Sequence, residues 1–145
     1  MKALIALEVG VALVLLVAVP LGAIAVRRRV LQRGGGTVDL SLRLNARSRG
    51  RGWVLGVGKF AGDELHWYRV FSLSMRPRRR LARATLVVSE RRKPTGPEAF
   101  ALLKGAIVLE CREPSGPVQI ALEERAVTGF LAWLESQPPG ARLHR

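Results

Sequence analysis

Acidic residues and reactive side chains are scarce in this chain. Its 145 residues include one cysteine, two histidines and 11 Asp+Glu against 24 Lys+Arg. A lone cysteine, Cys111, excludes an intramolecular disulfide and a cysteine metal cluster, which suits a reducing cytoplasm. It lies in the apolar run Ala106 to Cys111, so an ordinary buried side chain is expected. His66 sits beside Trp67 in an aromatic stretch and His144 lies near the C-terminus. Neither has a Cys, Ser or carboxylate partner at a spacing that suggests catalysis or metal binding. Gly56-Val57-Gly58-Lys59 superficially resembles a phosphate loop, but Trp53 stands where the first glycine is required and Phe60 where Ser or Thr is required. The expectation is a protein without catalytic residues, metal or cofactor.

Charge is also absent from one long stretch. Val9 to Val26 contains no ionisable residue, and Arg27, Arg28, Arg29 and Arg33 follow at once. Eighteen helical residues at about 1.5 Å each reach roughly 27 Å, close to the hydrocarbon thickness of a bilayer. Pro20 is tolerated in such a span, and Glu8 near its end can reach the interface. Ala23-Ile24-Ala25 has the small-residue spacing of a cleaved secretory signal. The long apolar run, an n-region with only Lys2, and the arginines after the supposed cut favour an uncleaved anchor. Weighing Lys2 and the amino terminus against four arginines, the positive-inside rule predicts a single-pass protein of the plasma membrane, N-terminus out and C-terminal domain cytoplasmic. The division expected is residues 1–33 as transmembrane anchor with juxtamembrane arginines and residues 34–145 as one domain.

The net charge is +13, unevenly spread. Arg27 to Lys93 holds 18 basic and 4 acidic residues, whereas Pro94 to Arg145 holds 5 basic and 6 acidic. A basic block tethered beside a bilayer faces anionic headgroups, each nearby Lys or Arg contributing about 1 kcal/mol. Tethering disfavours nucleic acid as the polyanion, and the aromatics Trp53, Trp67 and Tyr68 fit strand cores better than stacking platforms.

Beyond Gly34-Gly35-Gly36, which reads as a short flexible joint, the apolar period is two. Val38, Leu40, Leu42 and Leu44 alternate with Asp39, Ser41 and Arg43, predicting a strand over Thr37 to Leu44. Further strands are predicted over Trp53 to Phe60, Glu64 to Phe71, Arg79 to Ala84, Thr85 to Arg91, Ala106 to Arg112 and Val118 to Glu123. Gly56 and Gly58 suggest close backbone approach or a bulge. Glu98 to Gly105 fits either a helical turn or irregular chain. From about residue 123 to 137 the period becomes helical, with Val127, Phe130, Leu131 and Leu134 in one stripe and Trp133 flanking it. Glu123 and Glu124 favour the helix start, and Pro138-Pro139-Gly140 stops it.

About seven antiparallel strands followed by a closing helix that carries a tryptophan resemble the pleckstrin-homology-like superfold: mainly β, a split barrel capped by a C-terminal α-helix and here preceded by one transmembrane helix. RRRVLQRGGGTVDLSLRLN (27–45), RGWVLGVGKFAGDELHWYRVFSLSMRPRRRL (51–81) and LEERAVTGFLAWLESQPPG (122–140) are similar to an actinobacterial single-pass membrane protein family of unknown function. That resemblance implies a short anchored domain, often encoded beside the membrane ATP synthase genes, with no assigned activity.

In pleckstrin-homology domains that bind phosphorylated inositol lipids, the loop joining the first two strands is basic. The resemblance therefore implies phosphate or headgroup contact by Arg47, Arg49 and Arg51, with Arg43 entering and Lys59 leaving, although the lysine-rich loop signature is not reproduced. Arginine forks suit phosphate oxygens. Arg76, Arg78, Arg79 and Arg80 around Pro77 form a second basic cluster, and Arg27, Arg28, Arg29 and Arg33 a juxtamembrane one. The function expected is a non-enzymatic, membrane-anchored adaptor: basic loops against anionic lipid, another face for an unknown protein partner. The alternative is an accessory or assembly factor of a membrane complex, with the basic surface on an acidic protein.

Overall fold

The computed structural model describes residues 1–44 and 51–136. The chain opens with helix α1 (Lys2–Gln32), continues through β1 (Thr37–Arg43), β2 (Trp53–Ala61), β3 (Glu64–Arg69), β4 (Arg79–Ala82) and β5 (Val87–Arg92), makes the short turn α2 (Glu98–Ala101), and ends in β6 (Ala106–Glu113), β7 (Gly116–Glu123) and α3 (Glu124–Glu135). All seven strands pair antiparallel in the order β4-β3-β2-β1-β7-β6-β5, a half-barrel closed by α3. The two wings meet where β1 pairs with β7 through Leu40, Ser41 and Leu42. This order is compatible with the pleckstrin-homology-like superfold.

Alternation along each strand sorts residues onto two faces. The inner face carries Leu40, Leu42, Leu65, Trp67, Ile107, Leu109, Cys111, Val118, Ile120 and Leu122, sealed by Val127 and Phe130 of α3. Burying a side chain such as Phe130 stabilises by about 1.5–3 kcal/mol. On the inner side of β2, Gly56 and Gly58 leave room for larger neighbours. A Cβ on Gly56 would lie 2.1 Å from Trp67 Nε1, and one on Gly58 would lie 2.8 Å from a Leu40 methyl. Close approach, not a bulge, explains both glycines. Trp67 uses the space to donate its indole N–H to the Leu40 carbonyl at 3.2 Å.

The outer face holds a smaller cluster of Leu102, Ala106, Val108 and Ala121 beside Trp53. Next to it a polar ladder crosses four adjacent strands. Arg43 donates to Gln119 Oε1 at 2.7 Å, Gln119 donates to Glu110 at 2.7 and 2.9 Å, and Arg92 donates to Glu110 at 2.9 Å and to Glu98 at 2.6 and 3.2 Å. Glu98 is buried, so the ladder ties α2 to the sheet edge. The segment left open between helix and irregular chain is therefore one helical turn, anchored by charge.

The register gives the barrel two distinct ends. The β1–β2 and β3–β4 connections and the β6–β7 turn share one end, while the β2–β3 turn, α2 and α3 share the other. At the second end Trp133 donates to the Gly62 carbonyl at 3.1 Å and packs on Phe60 with ring centroids 5.1 Å apart, while Arg83 lies over its indole. The helix of Glu124–Glu135 thus plugs the end opposite the basic loops, matching the helix expected over residues 123–137 within the described residues.

Two outcomes follow. Gly56→Ala must displace the Trp67 indole, so unfolding in detergent is expected to be easier by about 1–3 kcal/mol, an overpacking cost; a melt unchanged from wild type contradicts the packing. Hydrogen bonding from Arg92 holds the Glu98 carboxyl below its usual range. A depressed carboxyl stabilises above its ordinary pKa and loses that contribution as pH falls through the folded value. Glu98→Gln should therefore cost about 3 kcal/mol near neutrality, the low end for a broken buried pair because Arg92 is partly exposed. The gap from wild type should close on acidification in pH-dependent melts.

Candidate membrane-facing site

α1 is the one described helix long and apolar enough to cross a membrane, 31 residues or roughly 46 Å at about 1.5 Å per residue. Residues 1–23 are all exposed, and burial begins only at the last turns. Arg27 is buried. Its Nε and Nη2 donate to the Ser74 carbonyl at 2.8 and 2.6 Å, and its Nη1 donates to the Arg69 carbonyl at 3.0 Å. Leu31, one turn on and on the same side of the helix, is also buried. Arg28 pairs with Asp39 at 3.0 Å. The last turns of α1 are thus fastened to β1, to the end of β3 and to the loop after it.

Gly34-Gly35-Gly36 differs from the flexible joint expected. All three adopt left-handed φ values of 101°, 72° and 65°, which glycine accepts without a Cβ clash, and the Gly36 carbonyl accepts the Phe60 N–H at 2.8 Å. The chain reverses here, and α1 runs from the start of β1, where Arg28 meets Asp39, toward the Arg69 end of β3, where Arg27 is held. The apolar part of α1 consequently leaves the barrel at the end that carries the β1–β2 and β3–β4 connections.

At that point lies an open cleft of about 230 Å³, lined by Arg27, Arg69, Arg76 and Arg78 with Ser72, Ser74 and Pro77. Of the sequence candidates, Arg76 and Arg78 meet in the cleft and Arg27 forms its floor, spending three guanidinium N–H groups on carbonyls instead of pointing to solvent as a juxtamembrane residue would. Arg79 pairs with Glu113 at the end of β6, and the exposed Arg80 lies on β4 opposite His66. Arg28, Arg29 and Arg33 are exposed on the last turns of α1 and just beyond them.

The first-loop candidates divide. Arg43 is built into the polar ladder and also donates to the Arg51 carbonyl at 3.1 Å, and Arg51 is exposed at the same end of the barrel. Lys59 is six residues along β2 from Trp53, about 20 Å at strand rise, toward the opposite end, so it does not join them. Arg47 and Arg49 lie outside the described residues, as does His144. His66 does have a carboxylate partner, Glu64 at 2.7 Å, in a local surface pair.

Sequence reasoning missed Arg69, Ser72 and Ser74, because the alternation Leu65, Trp67, Arg69, Phe71 reads as one strand face. β3 ends at Arg69. The available signal was the Ser-x-Ser pattern before Arg76-Pro77, which favours local side-chain to backbone bonding over a ladder.

The architecture is that of a small mainly β half-barrel carried on one apolar helix, with a basic cleft where the two meet. The chain belongs to the DUF2550 family, described as a protein of unknown function, which it matches over residues 13–140. It is 36% identical over 135 residues to the uncharacterised protein Rv1312 of Mycobacterium tuberculosis, covering 89% of this chain and 91% of that one. It is also 36% identical over 110 residues to the uncharacterised protein ML1147 of Mycobacterium leprae, covering 73% and 74%. The actinobacterial family expected from the sequence is the family found.

Arg27→Gln removes the fork that holds the Ser74 and Arg69 carbonyls. Amide exchange across residues 70–78 is expected to rise at least about tenfold, equivalent to about 1.4 kcal/mol or more, while exchange in β6 and β7 stays unchanged. Equal acceleration everywhere would mean that Arg27 supports the core and not the junction.

Proposed function

We propose that this protein is a non-enzymatic, membrane-anchored adaptor of the plasma membrane, N-terminus out, whose cytoplasmic half-barrel rests its basic end on anionic headgroups. The observation that supports this is the Arg27 junction. It aligns the exit of the apolar helix with the cleft of Arg69, Arg76 and Arg78, so the end nearest the bilayer is also a basic one. Three basic side chains at an anionic surface contribute about 3 kcal/mol together, a contribution that salt weakens. Arg51 lies at the same end, and Arg28, Arg29 and Arg33 follow the apolar run.

A second reading, an accessory or assembly factor of a membrane complex, is favoured by a feature of the opposite end. Phe100 is 94% exposed and Leu103 is 56% exposed beside α2. Exposed apolar side chains held on an ordered turn suit a protein partner. The two readings combine in one molecule, lipid at one end and protein at the other.

Full-length protein in nanodiscs of phosphatidylcholine, with and without phosphatidylglycerol, tests the lipid part. Amide exchange over residues 69–78 is expected to slow several-fold in the anionic discs at low salt, and the triple variant Arg69→Gln, Arg76→Gln, Arg78→Gln should abolish the difference. Identical exchange in both discs for the wild type would contradict headgroup contact.

A further inference from the structure

Beyond Arg69 the chain reads Val70-Phe71-Ser72-Leu73-Ser74-Met75-Arg76. Phe71, Leu73 and Met75 are 78%, 62% and 53% exposed, three large apolar side chains in five residues. The serines between them, Ser72 and Ser74, line the arginine cleft. The loop is not slack. The Ser74 N–H donates to Ser72 Oγ at 3.2 Å, the Arg76 N–H donates to Ser74 Oγ at 3.2 Å, and Arg27 grips the Ser74 carbonyl from α1. Local hydroxyl bonds and the guanidinium fork fix the backbone of this loop with the three apolar side chains displayed.

Position supplies the occupant. Arg27 is the first charged residue after the apolar run Val9 to Val26, so the carbonyl it holds lies where the anchor leaves the hydrocarbon. An apolar trio bracketed by Arg69, Arg76 and Arg78 at that depth has the make-up of an interfacial membrane segment, apolar tips toward acyl chains and cations toward phosphate. A water-facing loop of a soluble domain has no reason to keep such a trio ordered and exposed.

We propose that Phe71, Leu73 and Met75 form a wedge that enters the acyl boundary of the bilayer crossed by α1, with Arg69, Arg76 and Arg78 at the phosphate level. This rests on the lipid-facing reading above and adds penetration to it. The wedge gives the domain a second attachment beside the helix, so the half-barrel cannot swing on its anchor.

The test uses the full-length chain with Leu73→Cys or, separately, Phe71→Cys, labelled with an environment-sensitive fluorophore in phosphatidylcholine–phosphatidylglycerol vesicles. Cys111 stays out of the labelling at neutral pH, because burial pushes its thiol up to about 12. Lys104→Cys at the opposite end is the control. Lipids spin-labelled on the acyl chain are expected to quench the labels at 71 and 73 several-fold more than the label at 104. Quenching by headgroup-labelled lipid alone overturns the wedge and leaves headgroup apposition standing. Quenching by neither overturns both. A label shielded from aqueous iodide yet untouched by either lipid means that protein, a second copy included, covers the loop, and the wedge is wrong.

Discussion

The junction between helix and barrel rests on one guanidinium. Arg27 spends three N–H groups on two carbonyls, that of Arg69 at the end of β3 and that of Ser74 in the loop beyond it. A buried cation is costly unless its donors are satisfied, and the carbonyl oxygens of Arg69 and Ser74 meet that need. Each side completes the other: the loop gains donors, and the arginine gains acceptors at the edge of the apolar run. Lysine, with a compact ammonium on a flexible stem, could not reproduce the planar fork. The orientation of the half-barrel relative to α1 follows from this contact, helped by Leu31 and by the Arg28–Asp39 pair.

The barrel gives that orientation its meaning because its two ends differ. One is plugged by α3, with Trp133 bonded to the β2–β3 turn and packed at a tilt against Phe60. The other carries the cleft lined by Arg69, Arg76 and Arg78. The glycines of β2 make the packing possible, since Trp67 occupies the volume that a side chain at position 56 would need. On the outer face the ladder from Arg43 to Glu98 consumes charges that, read from composition alone, count toward a basic surface. Arg43 and Arg92 therefore add to the net charge without presenting free forks to a ligand, while Arg69, Arg76 and Arg78 keep theirs at the cleft. Net charge is a statement about solubility and long-range attraction; which arginines can act is decided by pairing.

Most of the fold was legible because period-two alternation is strong in Thr37 to Leu44 and Glu64 to Trp67, and the helical period is equally clear from Val127 to Leu134. Every predicted strand is present, with ends shifted by at most two residues. The site was less legible. Phe71 continues the alternation of β3 yet stands exposed outside it, because the period reports which residues would share a face and not whether a neighbour strand exists to pair with them. Lys59 looked close to Arg51 in sequence, but a strand carries it to the other end. Three consecutive glycines signalled a break in the helix correctly, whereas their joint left-handed conformation depends on a distant partner, Phe60. The docking of Arg27 had no local signal at all, since its acceptors are backbone carbonyls more than forty residues away.

The DUF2550 chain is thus read as an anchor and a barrel fixed to one another, not a barrel on a string. Pulsed electron paramagnetic resonance between spin labels at Gly22→Cys on α1 and Glu90→Cys on β5, in full-length protein reconstituted in anionic bilayers, measures this directly. A rigid junction predicts a single narrow distance distribution that broadens when Arg27→Gln is added. A broad distribution in the chain with Arg27 intact would contradict the account.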